Sequence, residues 1–164
     1  MDEVILGEQV MEFELGVDPN SEHYRHASFC RILERTEIDD LTMDRFVELA
    51  ELDPDQVMAE ATLGQLVRHC GLTTGQIDRL CGHPAFATPD LQRICEQTRL
   101  LRGLDSADPS REFVDRCISV GDSVVQRKLL ERIELTVGQL MALSEMGANR
   151  AVRNLALAEL RRKV

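Results

Sequence analysis

Histidine and cysteine side chains recur near the start of the chain at a spacing that could hold a metal ion. His23, His26 and Cys30 fall at positions i, i+3 and i+7 of a predicted helix that begins near Ser21, so one helix face carries all three. Zinc binds imidazole nitrogen and thiolate sulfur, and it would need a fourth ligand from elsewhere in the fold. A neighbouring face of this helix is apolar, and cysteine in such a setting usually packs as a small hydrophobic residue. We therefore predict no metal here.

A second group of histidines and thiols lies between positions 69 and 83. His69 with Cys70, and Cys81 with His83, stand next to glycines that mark predicted helix ends. Their spacing lacks the close ligand pairs of a zinc finger. A nucleophilic Cys/His pair would also need an oxyanion-binding group and a residue that orients the base, and no sequence motif supplies them. We predict no catalytic residue and no cofactor.

The formal net charge of −10 is unevenly distributed along the chain. Residues 1 to 22 contain seven carboxylates and no lysine or arginine. The segment after Gly147 is basic, with Glu159 as its one acidic residue. An acidic chain repels nucleic acid and favours a partner protein with a basic surface.

The two charged ends are the candidate protein-binding surfaces. The selected residues are Glu12, Phe13 and Glu14 in the acidic segment and Arg150, Arg153, Arg161 and Arg162 at the basic end. Their opposite charges permit either self-docking or head-to-tail association. Basic side chains near a helix C-terminus also interact favourably with the helix dipole, so a structural role for the arginines is the alternative.

One sequence phrase occurs three times, at Leu41–Thr42, Leu72–Thr73 and Leu135–Thr136. Each threonine is predicted to be an N-cap, whose hydroxyl accepts a hydrogen bond from a free backbone N–H of the first helical turn. The leucine before it and an apolar residue four positions after it occupy the two positions of a hydrophobic staple. Gln76 and Gln139 add the third residue of a capping box in two of the copies.

Further start and stop signals divide the chain into short helices. Asp53–Pro54, Thr88–Pro89 and Asp108–Pro109 are predicted helix starts, because proline suits the first helical position. Four glycines are predicted left-handed residues after helix ends: Gly71, Gly103, Gly121 and Gly147. The predicted helices span residues 21–36, 42–51, 54–60, 63–70, 74–81, 89–102, 109–119, 122–133, 137–146 and 149–163. Short loops require neighbouring helices to pack together.

The first twenty residues follow a different pattern. Met11, Phe13, Leu15 and Val17 alternate with polar residues or glycine, which is the period of a strand. Since one isolated strand is unstable, this segment either pairs with Val4–Leu6 as a hairpin or docks as an arm onto its own body or a partner. A self-docked or disordered arm is the favoured interpretation.

Composition supports one intracellular helical domain. Aromatic residues make up 4% of the 164 residues and tryptophan is absent, which suits packed helices built on aliphatic side chains. The five dispersed cysteines are odd in number, and no signal peptide or membrane-spanning run is evident, so we expect a cytoplasmic protein. The predicted fold class is all-α, with stacked short helices as an irregular repeat or a bundle. Its predicted regions are an acidic arm with a short β segment, residues 1–20, and a single helical-repeat domain, residues 21–164.

The irregular spacing of the threonine phrases resembles degenerate α-helical repeat proteins of the HEAT or leucine-rich-variant type. Leu135–Leu160, which includes Gly147–Arg153, carries the closest resemblance. The resemblance implies stacked short helices that form a curved surface for holding a partner. Leucine-rich-variant proteins can carry an iron–sulfur cluster, but this chain lacks the clustered cysteines that such a cofactor requires, so none is inferred.

Leu41–Val57 is also similar to the first two helices of repressor-type helix-turn-helix domains. In that family the second helix enters the major groove of DNA. Here that helix would present Asp53, Asp55 and Glu60 with no basic side chain to meet phosphate, which argues against DNA binding.

The sequence as a whole favours a non-catalytic protein–protein interaction module that acts as an adaptor, inhibitor or regulator of another protein. Two alternatives stay open. One is a metal- or thiol-dependent enzyme that uses the histidine and cysteine sets, and the other is a helix-turn-helix-like transcriptional regulator.

Overall fold

The structure, a computed structural model, describes residues 22–105 and 109–163, with the backbone alone at positions 22 and 23. These residues form nine α-helices and no strand, which confirms the predicted all-α class. The helices are α1 (Glu22–Arg35), α2 (Asp40–Glu51), α3 (Gln56–Arg68), α4 (Thr74–Cys81), α5 (Pro89–Gly103), α6 (Arg111–Val120), α7 (Ser123–Arg132), α8 (Val137–Met146) and α9 (Arg150–Lys163), with a 3-10 turn at Pro84–Phe86. The predicted β arm lies outside the described residues. None of the described helices is long and apolar enough to cross a membrane.

Two of the three threonine phrases begin helices as predicted. Thr73 and Thr136 are the N-caps of α4 and α8, and each forms a complete capping box with the glutamine three residues later. The prediction for Thr42 is wrong, because Asp39 caps α2 and accepts the backbone N–H of Thr42 at 2.7 Å. A carboxylate accepts this bond and also complements the positive end of the helix dipole, so the helix begins earlier than expected. Leu41 is 72% exposed and therefore is not buried as a staple residue should be.

Three other boundaries differ from the prediction. Asp55, rather than Asp53, is the N-cap of α3 and accepts the backbone N–H groups of Val57 and Met58. The two helices predicted over 54–60 and 63–70 are one helix, because Gly64 lies in close contact with another helix and does not interrupt α3. The start of α6 is capped by Ser110, two residues after the predicted Asp108, which lies outside the described residues.

The helices cluster into two compact units, which meet in the sequence between Cys95 and Glu96. In the first unit, α1 and α2 pack against α3, and α4 also contacts α3. The rings of Phe29 and Phe46 meet edge to face with centroids 4.8 Å apart. Their surroundings are aliphatic residues that are almost fully buried, among them Leu66, Val67 and Ile77. Burial of such side chains is the main source of stability for this unit.

The second unit contains the end of α5 and two helical hairpins, α6–α7 and α8–α9. Helix α6 contacts α8, and α7 contacts α9. The hairpins use equivalent buried positions, offset by 26 residues in the first helix and 27 in the second. These positions are Val114, Cys117, Val125 and Leu129 in the first hairpin and Leu140, Leu143, Val152 and Ala156 in the second.

A glycine joins the two helices of each hairpin. Gly121 and Gly147 end α6 and α8 with φ values of −64° and −54°, so the predicted left-handed conformation is wrong at both. The requirement is steric. A Cβ atom at Gly147 would lie 2.5 Å from the Leu143 carbonyl oxygen and 2.9 Å from a methyl carbon of Val152. Glycine therefore allows the second helix of the hairpin to approach the end of the first.

We expect Gly147→Ala to lower the free energy of unfolding by about 1–3 kcal/mol, because the added methyl group overlaps the Leu143 carbonyl. Gly138→Ala is the matched control in the same hairpin, since nothing lies within 4 Å of the added Cβ atom. Alanine is the better helix former, so the control should be unchanged or more stable by up to about 1 kcal/mol. Urea unfolding followed by circular dichroism measures both, and equal stability of the two variants would contradict the steric argument.

Candidate functional site

The first predicted ligand group is partly assembled. His26 Nε2 lies 3.6 Å from Cys30 Sγ, and His26 Nδ1 lies 3.1 Å from the hydroxyl oxygen of Thr62. The side chain of His23 lies outside the described residues. Among the side chains that the structure describes, no three potential ligands form a group that could hold a metal ion. Burial, and secondarily the charge of Glu34, raises the pKa of the Cys30 thiol and so disfavours the thiolate that binds metals.

The second group of histidines and thiols is dispersed among structural roles. His83 Nδ1 accepts the backbone N–H of Ala85 at 3.2 Å and caps the 3-10 turn. His69 Nδ1 accepts the backbone N–H of Gly71 at 3.2 Å after α3 ends. Cys81 is buried, whereas Cys70 is exposed. The structure therefore does not bring these four residues into one site.

The thiol of Cys117 is fully buried in the second unit. Burial, with a smaller contribution from Glu96, raises its pKa to about 11. A nucleophilic cysteine needs the opposite shift, since the thiolate is the reactive form. Cys117 therefore has the environment of a packing residue.

The helix-turn-helix-like segment uses its carboxylates to hold the fold. Asp53 receives two hydrogen bonds from the Arg25 guanidinium, at 2.9 and 3.0 Å, and also accepts the backbone N–H of Asp55. The hydrogen bonds from Arg25 hold the pKa of Asp53 below its usual value of 3.8. Asp55 caps α3. Neither carboxylate is available as a recognition group.

The four arginines selected at the basic end fall into two classes. Arg153 donates to the Gly147 carbonyl oxygen at 2.7 Å, and Arg162 pairs with Glu159 at 2.6 Å. Arg150 and Arg161 are exposed and make no hydrogen bond or ion pair with the described residues. The predicted site residues of the acidic arm, Glu12, Phe13 and Glu14, lie outside the described part of the chain.

One side of the α6–α7 hairpin contacts the α8–α9 hairpin. On α6, Asp115 accepts a hydrogen bond from Gln139 Nε2 at 3.0 Å. On α7, Leu130 lines a cleft that it shares with Leu140 and Glu159 of the second hairpin. These contacts identify the side of a hairpin that faces the next one.

The equivalent side of the α8–α9 hairpin is exposed. Met141 stands 26 positions after Asp115, and Leu157 stands 27 positions after Leu130. Their exposed fractions are 48% and 38%, and Val137, one turn before Met141, is 44% exposed. By this equivalence the three side chains point away from the first hairpin. They form an apolar surface at the end of the second unit.

The unpaired arginines lie beside this apolar surface. Arg150 precedes Leu157 by seven positions and Arg161 follows it by four, so all three share one side of α9. We call this surface the outer face, formed by Val137, Met141, Arg150, Leu157, Leu160 and Arg161. Apolar side chains with a charged rim form the kind of surface at which proteins bind one another. Methionine adds adaptability because its side chain is flexible and polarisable.

The sequence interpretation found the arginines of the outer face but missed its apolar part. A signal was available in α8, where only Glu145 is charged. A helix that is apolar on more than one side is buried on more than one side, or it exposes an apolar surface. The hairpin packing shows that only the side with Leu140 and Leu143 is buried.

We expect Asp53→Asn to lower the free energy of unfolding at pH 7 by about 1–3 kcal/mol, because it weakens a half-buried pair with Arg25. The folded-state pKa of Asp53 is lowered, so the pair stabilises the fold above the unfolded pKa, and this stabilisation is lost as the pH falls through the folded pKa. The difference from the original chain should therefore shrink in acid. Asp90→Asn removes an exposed pair with Arg93 and is the control, with an expected change within about 0.5 kcal/mol. Equal losses for the two variants in urea unfolding at pH 7 would argue against the role of Asp53.

Native-state thiol labelling at about pH 8 should modify Cys70 rapidly and leave Cys117 unmodified until the protein unfolds, because the buried thiol stays protonated. Mass spectrometry of the peptides identifies the labelled residues. In Cys70→Ser the fast phase should disappear. Rapid labelling of Cys117 in the folded protein would contradict the burial of its thiol and its raised pKa.

Comparison with known protein families, with curated proteins and with solved structures finds no match to this chain. The outer face is therefore interpreted from its own exposure, charge and packing.

Proposed function

We propose that the chain is a non-catalytic protein–protein interaction module of the α-helical repeat type, which acts as an adaptor, inhibitor or regulator of another protein. Its proposed binding surface is the outer face. The single observation that carries this proposal is the exposure of the apolar side chains Val137, Met141 and Leu157 on the side of a hairpin that, in the hairpin before it, contacts the next hairpin through Asp115 and Leu130.

A repeated polar contact supports the repeat assignment. Gln92, Gln126 and Arg153 each lie four positions after the residue that caps their helix. Each side chain donates to a backbone carbonyl at the end of the preceding helix. The acceptors are Phe86 and Cys81 for Gln92, Ile118 for Gln126 and Gly147 for Arg153. The same device in three successive helix pairs is typical of a degenerate repeat.

Repeat architecture also gives a physical reason for the exposed surface. Each unit of a repeat protein buries apolar area against its neighbour, and among the described residues the α8–α9 hairpin has such a neighbour on one side only. A side of a repeat unit that faces solvent usually carries polar residues. Here the outward positions of α8 and α9 carry methionine, valine and leucine instead. This departure favours a surface that is covered by a partner.

The thiols and histidines are consistent with a binding role. His83 and His69 accept backbone N–H groups, and His26 lies against Thr62. The raised pKa of Cys117 favours its unreactive form. Structural roles of this kind for three of the candidate histidines favour the binding proposal over an enzyme of the metal or thiol class.

We expect the double variant Met141→Asp, Leu157→Asp to bind its partner at least tenfold more weakly, because it places two charges in the apolar centre of the interface. Affinity purification from the native cell followed by quantitative mass spectrometry identifies the partner and measures the loss.

Leu52→Asp is the matched control, since Leu52 is 79% exposed and lies on the turn after α2 in the other unit. Thermal unfolding should give similar midpoints for the original chain and both variants, because all three positions are exposed. If the double variant and the control retained the same partners at the same level, the outer face would not be the binding surface.

A further inference from the structure

We infer that the outer face binds the acidic N-terminal segment, residues 8–18, of a second copy of this chain. The inference rests on the proposed function, because it names the occupant of the same surface. Two chains that exchange these segments would form a closed dimer with two identical contacts.

The charge of the outer face defines what can cover it. Arg150 and Arg161 are exposed there without a charged partner among the described residues. The exposed Glu145, one turn after Met141 on α8, is the one acidic residue that we place beside them. An occupant of this surface must therefore offer apolar side chains together with carboxylates.

A second copy of the same face does not meet this requirement. An interface related by a two-fold axis would bring like surfaces together, and each would contribute two unpaired arginines next to its apolar centre. Like charges brought together at an interface oppose binding. The complementary charge is found elsewhere in the chain.

The acidic segment has the required composition. Between positions 8 and 18 it contains Met11, Phe13 and Leu15 interleaved with Glu12 and Glu14, and it has no basic residue. The apolar side chains match the centre of the outer face, and the carboxylates match its arginines. The segment is part of every copy, so its local concentration rises once two chains have met through the first contact, and the second contact forms more readily.

The test is a charge exchange measured by sedimentation equilibrium of the full chain over roughly 1 μM to 1 mM. The original chain should form a dimer whose dissociation constant rises with salt, because exposed charge pairs are screened. Glu12→Lys with Glu14→Lys should weaken the dimer at least tenfold, and so should Arg150→Glu with Arg161→Glu. The chain with all four changes should recover most of the lost affinity, since the charges are again complementary.

Arg127→Glu is the matched control for the face variant. Arg127 is an exposed arginine on α7 that makes no hydrogen bond or ion pair with the described residues, and it lies outside the outer face. This variant should associate as the original chain does. A loss equal to that of the Arg150 and Arg161 variant would show that net charge, rather than the outer face, controls association, and would overturn the inference.

A second measurement covers the case in which a reversed face disturbs folding. A fluorescent synthetic peptide with the sequence of residues 4–20 is titrated with the full chain carrying Glu12→Lys and Glu14→Lys, whose outer face is unchanged. Binding of the peptide, and its loss when Met141→Asp is added, would support the inference. Three results would overturn the inference. They are absence of peptide binding, an original chain that stays monomeric over the whole concentration range, and failure of the variant with all four charge changes to recover affinity.

The two proposals fail separately. A chain that stays monomeric but captures another protein through Met141 and Leu157 would remove the second-copy inference and keep the binding function. A dimer whose affinity is lost in each pair of charge reversals and recovered when the two pairs are combined would support the second-copy inference. If capture of another protein were at the same time independent of Met141 and Leu157, the proposed binding of another protein through the outer face would be wrong.

Discussion

The structure depends on how the ends of short helices satisfy their backbone hydrogen bonds. Every helix leaves free N–H groups at its start and free carbonyls at its end, and helices of 8 to 15 residues consist largely of such ends. The side chain of Gln126 satisfies two of these backbone groups. Its buried amide donates to the Ile118 carbonyl and accepts the Ala148 N–H, both at 2.8 Å, so one side chain joins the turns of two successive hairpins. Gln97 makes the corresponding pair of bonds to the Val120 carbonyl and the Asp122 N–H. A buried side chain such as Gln126 that both donates and accepts a hydrogen bond favours one arrangement of its neighbours.

The positions that the two hairpins share have a consequence for the exposed side of α8–α9. The α6–α7 hairpin places Leu130 and Asp115 against the following hairpin, and the same positions in α8–α9 carry Leu157 and Met141. Apolar side chains at positions equivalent to these contacts thus stay exposed among the described residues. The apolar centre of the outer face explains why a partner would bind, and its arginines restrict the partner's charge. The proposed binding function and the second-copy inference both rest on this one surface.

The chemically reactive residue types have structural uses in the described part of the chain. His83 caps a 3-10 turn, His26 lies against a buried threonine, and Cys117 fills a core position at which burial raises its pKa to about 11. The carboxylates of the helix-turn-helix-like segment have similar uses, since Asp53 binds Arg25 and Asp55 caps α3. Titratable groups in these roles stabilise the fold and do not need a catalytic interpretation.

Local signals in the sequence were sufficient for the all-α class, for the start of α4 and α8, and for the position of the basic end. Thr73 and Thr136 could be assigned because a capping box lies within four residues and needs no other part of the chain. Choices between neighbouring groups were decided by tertiary structure. Asp53 and Asp55 are both competent caps, and the guanidinium of Arg25, 28 residues away, takes the first and leaves the second to start α3. The apolar part of the outer face also could not be predicted from local sequence patterns. Which of the apolar residues on α8 is buried depends on the packing of α6 and α9, and packing between segments distant in the sequence is not contained in the period of a single helix.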